Sequence, residues 1–182
     1  MRRFLMIVCI FFTGLSSVYG ASLSTSFAEV ILKDLQVGKS YSTKETAHMP
    51  LSVINNGNAA VDLKIDVLLP RPDNLKQGYE AIPDVDWIKI EKDFFPNLCA
   101  GEQAVTDVIV TIPNNKKHCG KKYQVYLRSH TVGKKGLAIA VGLRSRLLFI
   151  ISQEAKEDFK NENQDRGFFN KLFIWLGLKK NE

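Results

Sequence analysis

The sequence predicts an all-β protein built as one antiparallel sandwich of about seven strands. Three observations predict it. Residues 61–69 alternate with period 2, further β-branched and alternating runs follow at 106–112, 123–130 and 137–151, and turn residues separate them at sandwich spacing with no helical period between. Parallel α/β architectures are excluded because the connections are too short to hold crossover helices. A small closed barrel is the structural alternative.

The strands follow in order. Phe27 to Leu35 opens the domain and turns at Val37-Gly38. Leu51-Ser52-Val53-Ile54 runs into Asn55-Asn56-Gly57-Asn58, and Val61, Leu63, Ile65, Val67 and Leu69 then alternate with Asp62, Lys64, Asp66 and Leu68. Asn and Gly both tolerate positive φ, so residues 50–69 are expected to form a hairpin, with Asn56 and Gly57 as its structural turn. Trp87 to Glu91 alternates, and Leu98 to Glu102 turns. Thr106 to Ile112 is closed by Pro113, which cannot donate within a ladder. Tyr123, Val125, Leu127 and Ser129 share one strand face, with Gln124, Tyr126, Arg128 and His130 on the other. Val132 to Gly136 is a second hairpin turn, before the alternating run from Leu137 to Ile151.

Residues 50–58 followed by an alternating strand resemble the B–C hairpin of bacterial immunoglobulin-like and fibronectin-type domains of exported proteins. Leu98 to Glu102 resembles their turn into strand E. Gly120-Lys121-Lys122-Tyr123 resembles the approach to strand F, which implies a structural tyrosine corner at Tyr123. The resemblance covers residues 27–151 and implies an immunoglobulin-like sandwich; it specifies a fold and no activity. It lacks the Cys…Trp…Cys core of antibody domains and the basic anchor residues of periplasmic pilus chaperones.

The chain ends add a compartment and a tail. Arg2-Arg3, the apolar run Phe4 to Phe12, and Val18-Tyr19-Gly20 before Ala21 form the three parts of a secretory signal peptide, expected to be cut after Gly20. The apolar run falls short of the roughly 20 residues a membrane span needs. The expected organisation is a signal peptide at 1–20, the sandwich at 21–152, a polar linker or helix at 153–166 and an amphipathic helix at 167–180. In that last segment Phe168, Phe169, Leu172, Phe173 and Leu176 recur at helical spacing, with Trp175 suited to headgroups and Lys179-Lys180 to anionic lipid. The alternative occupants of this apolar face are a partner protein or the sandwich itself.

Loss of Arg2 and Arg3 takes the basic residues from 25 to 23 against 19 acids, so net charge falls from +6 to +4. That suits an anionic envelope surface and, with no nucleic-acid motif, excludes nucleic acid as the expected partner. Cys99 and Cys119 flank the strand ending at Ile112, whose extended length of about 25–30 Å exceeds the reach of a disulfide. Both are expected to be free or paired between molecules.

No catalytic motif is present: there is no Gly-x-Ser-x-Gly elbow, P-loop, metal-ligand spacing or Cys/His signature. No enzyme, cofactor or metal site is expected, and the histidines read as ordinary surface residues. The long connection at 70–86 is stiffened by Pro70, Pro72 and Pro83. Its Tyr79 and Ile82, with Trp87 just beyond, are the candidate residues for binding an envelope protein or glycan; the opposing reading tucks Tyr79 and Ile82 onto the core edge. The leading function is an exported binding or structural module of the periplasm or cell surface, held at a membrane by its tail. The alternatives are a chaperone-like periplasmic assembly factor, favoured by a free edge strand, and an envelope enzyme with an unrecognised site.

Overall fold

Alternating apolar side chains along the longest strands sort them into two layers around one core. The computed structural model describes residues 20–132 and 141–153 of the 182-residue chain. Its strands are β1 (Leu23–Ser24), β2 (Glu29–Leu35), β3 (Ser40–Ser42), β4 (Leu51–Asn55), β5 (Val61–Leu68), β6 (Glu80–Ala81), β7 (Ile88–Ile90), β8 (Phe94–Leu98), β9 (Gln103–Thr106), β10 (Val108–Thr111), β11 (Lys122–Val132) and β12 (Gly142–Ile151). A single short α-helix, α1 (Thr43–Thr46), lies among the described residues.

One layer has the order β2-β12-β11-β5-β8, with β6 added beside β11. The other is made of the β1-β4-β9 and β3-β10-β7 ladders, continuous through the adjoining β9 and β10. Leu32, Leu63, Val125, Leu127, Leu147 and Phe149 from the first layer meet Leu51, Val53, Val108 and Val110 from the second in one buried cluster.

The chain changes layer within its first arm. β1 pairs with β4, while β2 runs parallel to β12, with Leu32 opposite Phe149. It changes again at 88–98, where β7 pairs with β10 and β8 pairs with β5.

β4 and β5 do not form the hairpin expected at 50–69, because they belong to different layers. The connection is an arch between sheets. Asn55 is fully buried, and its Nδ2 donates to the carbonyls of Ala59 (2.8 Å) and Leu98 (3.0 Å) while its Oδ1 accepts from the Gly57 amide. Gly57 does not take positive φ. A Cβ there would lie 2.6 Å from the Gly20 carbonyl, so a close backbone approach, not an Asn-Gly turn, requires glycine. Asn56 donates to Ser22 and Ser24 and secures β1. The hairpin expected between residues 123 and 151 does form: β11 and β12 pair antiparallel from Lys122–Ile150 to His130–Gly142. Its turn lies outside the described residues.

A local break divides the second layer. α1 interrupts the line of β3 and β4, and Asp107 interrupts that of β9 and β10. The two breaks are joined: the Asp107 carboxylate accepts from the Ser42 and Thr43 hydroxyls and from the Lys44 and Val108 amides.

Candidate functional site

The long connection after β5 folds back onto the sheet. Gln124 of β11 is fully buried; its Nε2 donates to the Asn74 carbonyl at 2.9 Å and its Oε1 accepts from the Lys76 amide at 2.8 Å. The Tyr126 hydroxyl donates to the same Asn74 carbonyl. The chain then enters β6, which runs parallel to β11 at Tyr123–Gln124, beyond the reach of β5.

This path decides the roles of two expected binding residues. Ile82 is 2% exposed and Trp87 is 7% exposed, so both are core residues and present no face to a partner. Only Tyr79 is half-buried. The physical reason is that β5 stops short of the lower part of β11, and the connection supplies both the missing strand pairing and the missing core side chains.

Trp87 packs edge-on against His118 at 4.8 Å and Tyr123 at 5.3 Å. Tyr123 is buried, and its hydroxyl shares a 2.7 Å hydrogen bond with His118 Nδ1, five residues upstream. His118 is 4% exposed, which corrects its reading as a surface histidine. Burial, with help from the Lys117 and Lys121 charges, holds its pKa below the ordinary value. Cys99 is exposed and Cys119 half-buried, and the two are not joined. Residues 1–19 and 154–182, including Phe168, Phe169, Leu172, Phe173, Trp175, Leu176, Lys179 and Lys180, lie outside the described residues. Among the described residues no three His, Cys, Asp or Glu side chains gather as metal ligands, and no helix is long and apolar enough to cross a membrane.

The strongest binding geometry is an open edge. β8 pairs with β5 only from Val61 to Lys64. The Ile65 amide then donates to the Asp93 carbonyl at 2.8 Å, which shows that its polar groups point away from β11. Two residues on, Val67 points the same way, and no strand among the described residues pairs with that side. Across from it, β7 pairs with β10 alone. Between the two edges lies a cleft of about 480 Å³, floored by Ile65, Val67, Ile88 and Ile90 and rimmed by Asp86, Lys89 and Asp93. Such an edge offers main-chain hydrogen bonds to an extended segment, and the cleft beside it offers a place for one apolar side chain.

The outer face of the first layer carries charge instead. Glu29 accepts from Lys76 Nζ at 2.7 Å and from Arg146 Nη1 at 2.8 Å, which holds its carboxyl below the usual range. Arg146 also donates to Tyr126. Asp66 accepts from Arg128 at 2.8 Å. A recess of about 280 Å³ lies next to this network, lined by Leu68, Leu69, Pro70, Arg71, Asn74, Tyr126 and Arg144.

No protein-family model and no curated protein sequence matches the chain. Solved structures do align with the chain. The PapD-like domain 7 of human CEP192 aligns at a TM-score of 0.52 and 11% identity, covering 78% of this chain and 93% of that one. The periplasmic chaperone SfaE aligns at 0.46 and 16%, covering 73% and 59%. The CsuC–CsuE chaperone–tip adhesin pre-assembly complex of Acinetobacter baumannii aligns at 0.46 and 14%, covering 84% and 61%. The chain thus spans about three-fifths of the length of these two chaperone chains. The likeness to the human domain shows the fold, an immunoglobulin-like β-sandwich.

Proposed function

We propose that this chain is an exported, non-catalytic assembly factor of the cell envelope that acts like a chaperone. On this reading it holds an extended segment of a client protein along the open stretch of β5. One observation carries the reading: beyond the Ile65 amide, which bonds Asp93, the β5 edge at Val67 lacks a strand partner among the described residues and stands beside a cleft. The client segment pairs with the outward backbone of Val67 and places an apolar side chain against the half-buried Val67 and Ile90. Asp86 and Asp93 outweigh Lys89 at the rim, which favours a client with basic flanks. The signal-peptide pattern at 1–20 supplies the route to the periplasm, and the tail at 167–180 holds the factor near the membrane where clients emerge. Presentation by the 70–86 connection gives way to the edge, since Ile82 and Trp87 are core residues.

Site-specific photo-crosslinking in cells tests this. A benzophenone side chain at Lys89 should yield a discrete client adduct that disappears with Val67→Glu, while the same probe at exposed Glu45 on α1 yields none. Equal adducts from both sites, or an adduct indifferent to Val67→Glu, would sink the reading.

A further inference from the structure

The outer face of the first layer holds a second site, independent of the open edge. Its cross-strand register stacks cations. Arg128 of β11 stands directly opposite Arg144 of β12, and Tyr126 stands opposite Arg146. Like charges directly opposite one another on a sheet destabilise it. Among the described residues two carboxylates answer them, and each is shared. Asp66 lies 2.8 Å from Arg128, 3.9 Å from Lys64 and 3.7 Å from His130. Glu29 is divided between Lys76 and Arg146. Arg144 and Arg71 have no carboxylate partner among the described residues, and the Nε atoms of Arg128 and Arg146 are buried without a hydrogen-bond partner.

The recess of about 280 Å³ opens in the middle of this field. Arg71 lines it from the connection after β5 and Arg144 from β12, so two arginines without acid partners among the described residues line one cavity. Tyr126 lies between the elements that carry them, and Leu69 and Pro70 add an apolar wall. A single carboxylate is planar and is satisfied by one guanidinium fork. Two guanidiniums from different elements suit a tetrahedral dianion with acceptors in several directions, and the Leu69–Pro70 wall suits the organic group it is attached to. The geometry points to a binding site for a phosphate monoester, with Arg71 and Arg144 holding the phosphate.

Titration calorimetry of the full chain with glucose 1-phosphate tests the assignment. Saturable binding is expected, weakening as salt is raised. Arg71→Gln and Arg144→Gln are both substitutions of exposed residues, and each should weaken binding about tenfold or more. Lys33→Gln, an exposed change on β2, should leave it unaltered. Glucuronate, which offers a carboxylate on a similar ring, should bind more weakly than the phosphate ester. No saturable binding, binding indifferent to both arginine variants, or glucuronate equal to glucose 1-phosphate would each overturn the proposal. Phosphatidic acid vesicles identify the source of the phosphate. Pelleting that is lost in the Arg71→Gln, Arg144→Gln double variant assigns the site to a lipid headgroup. Pelleting that is absent or insensitive to the double variant, alongside arginine-dependent glucose 1-phosphate binding, assigns it to a soluble phosphorylated sugar.

Discussion

Asp107 joins two breaks in the second layer, and its removal has a cost that can be worked from its contacts. Its Oδ1 accepts from the Thr43 hydroxyl at 3.1 Å, the Lys44 amide at 3.0 Å and the Val108 amide at 2.8 Å, and its Oδ2 accepts from the Ser42 hydroxyl. Thr43 is fully buried, so Asp107→Ala strands a hydroxyl as well as two amides. A lost cap costs about 1 kcal/mol, and a stranded buried donor costs about 1–3 kcal/mol more. The expected loss is about 3 kcal/mol, which moves a urea midpoint by about 1.5 M at a slope of about 2 kcal/mol per M. Asp107→Asn keeps the Oδ1 acceptor and loses the charge, so about 1 kcal/mol is expected. Burial pushes the Asp107 carboxyl up, but the bonds from Ser42, Lys44, Val108 and Thr43 together hold it below the ordinary value. A depressed carboxyl stabilises the fold above its unfolded pKa of about 4, and that contribution fades as pH falls through the lower folded value. The gap between the wild-type chain and Asp107→Asn should therefore narrow in acid. Urea unfolding followed by circular dichroism measures all three. An Asp107→Ala midpoint within about 0.25 M of wild type would refute the reasoning.

Trp87→Ala should cost about 3–5 kcal/mol and Ile82→Ala about 2–5 kcal/mol in the same urea assay; a loss under about 1 kcal/mol for both would mean that these residues are not core. The neutral, buried His118 should make stability fall as pH drops below about 6.5 towards its lower folded pKa, because the unfolded histidine protonates first. That part of the pH profile should vanish in His118→Gln, and a profile identical to wild type would count against it. Ser145 is fully buried and its hydroxyl finds no partner among the described residues. Ser145→Ala should therefore raise stability by about 1 kcal/mol, whereas a loss of that size in the melting profile would reveal a bond to a group beyond the described residues.

Period 2 reports which side chains of a strand are buried, and in this chain it did so well. Along β11 it separates buried Tyr123, Val125, Leu127 and Ser129 from half-buried Tyr126, Arg128 and His130 but misses Gln124, which is buried under the 70–79 connection; along β5 it picks out Val61, Leu63 and Ile65, while Val67 is half-buried and Leu69 exposed. It says nothing about which neighbour a strand pairs with. That is why Asn55-Asn56-Gly57 reads as a hairpin turn when its hydrogen bonds build an arch, and why the parallel pairing of β2 with β12 carries no local signature. The break at α1 was not anticipated, although Ser42 accepts from the Glu45 amide and the Ser-x-x-Glu spacing is a known helix start. For the site, a long connection bearing Tyr79, Ile82 and Trp87 looks equally functional whether those side chains face out or in. Only the shortfall of β5 along β11 decides it, and that is a property of pairing.

The same shortfall explains why an edge is open. The segment from Ile88 to Leu98 is asked to serve both layers: its first three residues pair with β10 and its last five with β5. The crossing at Lys92–Asp93 closes the sandwich above Lys64 and leaves β5 and β7 facing each other below it. Filling that gap from within would take a longer strand, and the chain spends residues 69–79 on the outer face instead, where Asn74 and Lys76 bind Gln124. Val67 and Ile90 are half-buried, and an apolar side chain laid against them would add dispersion contacts. The charged rim also discourages indiscriminate pairing of two such edges. On the proposed reading, the half-buried floor rewards an occupant and the charged rim limits which one enters.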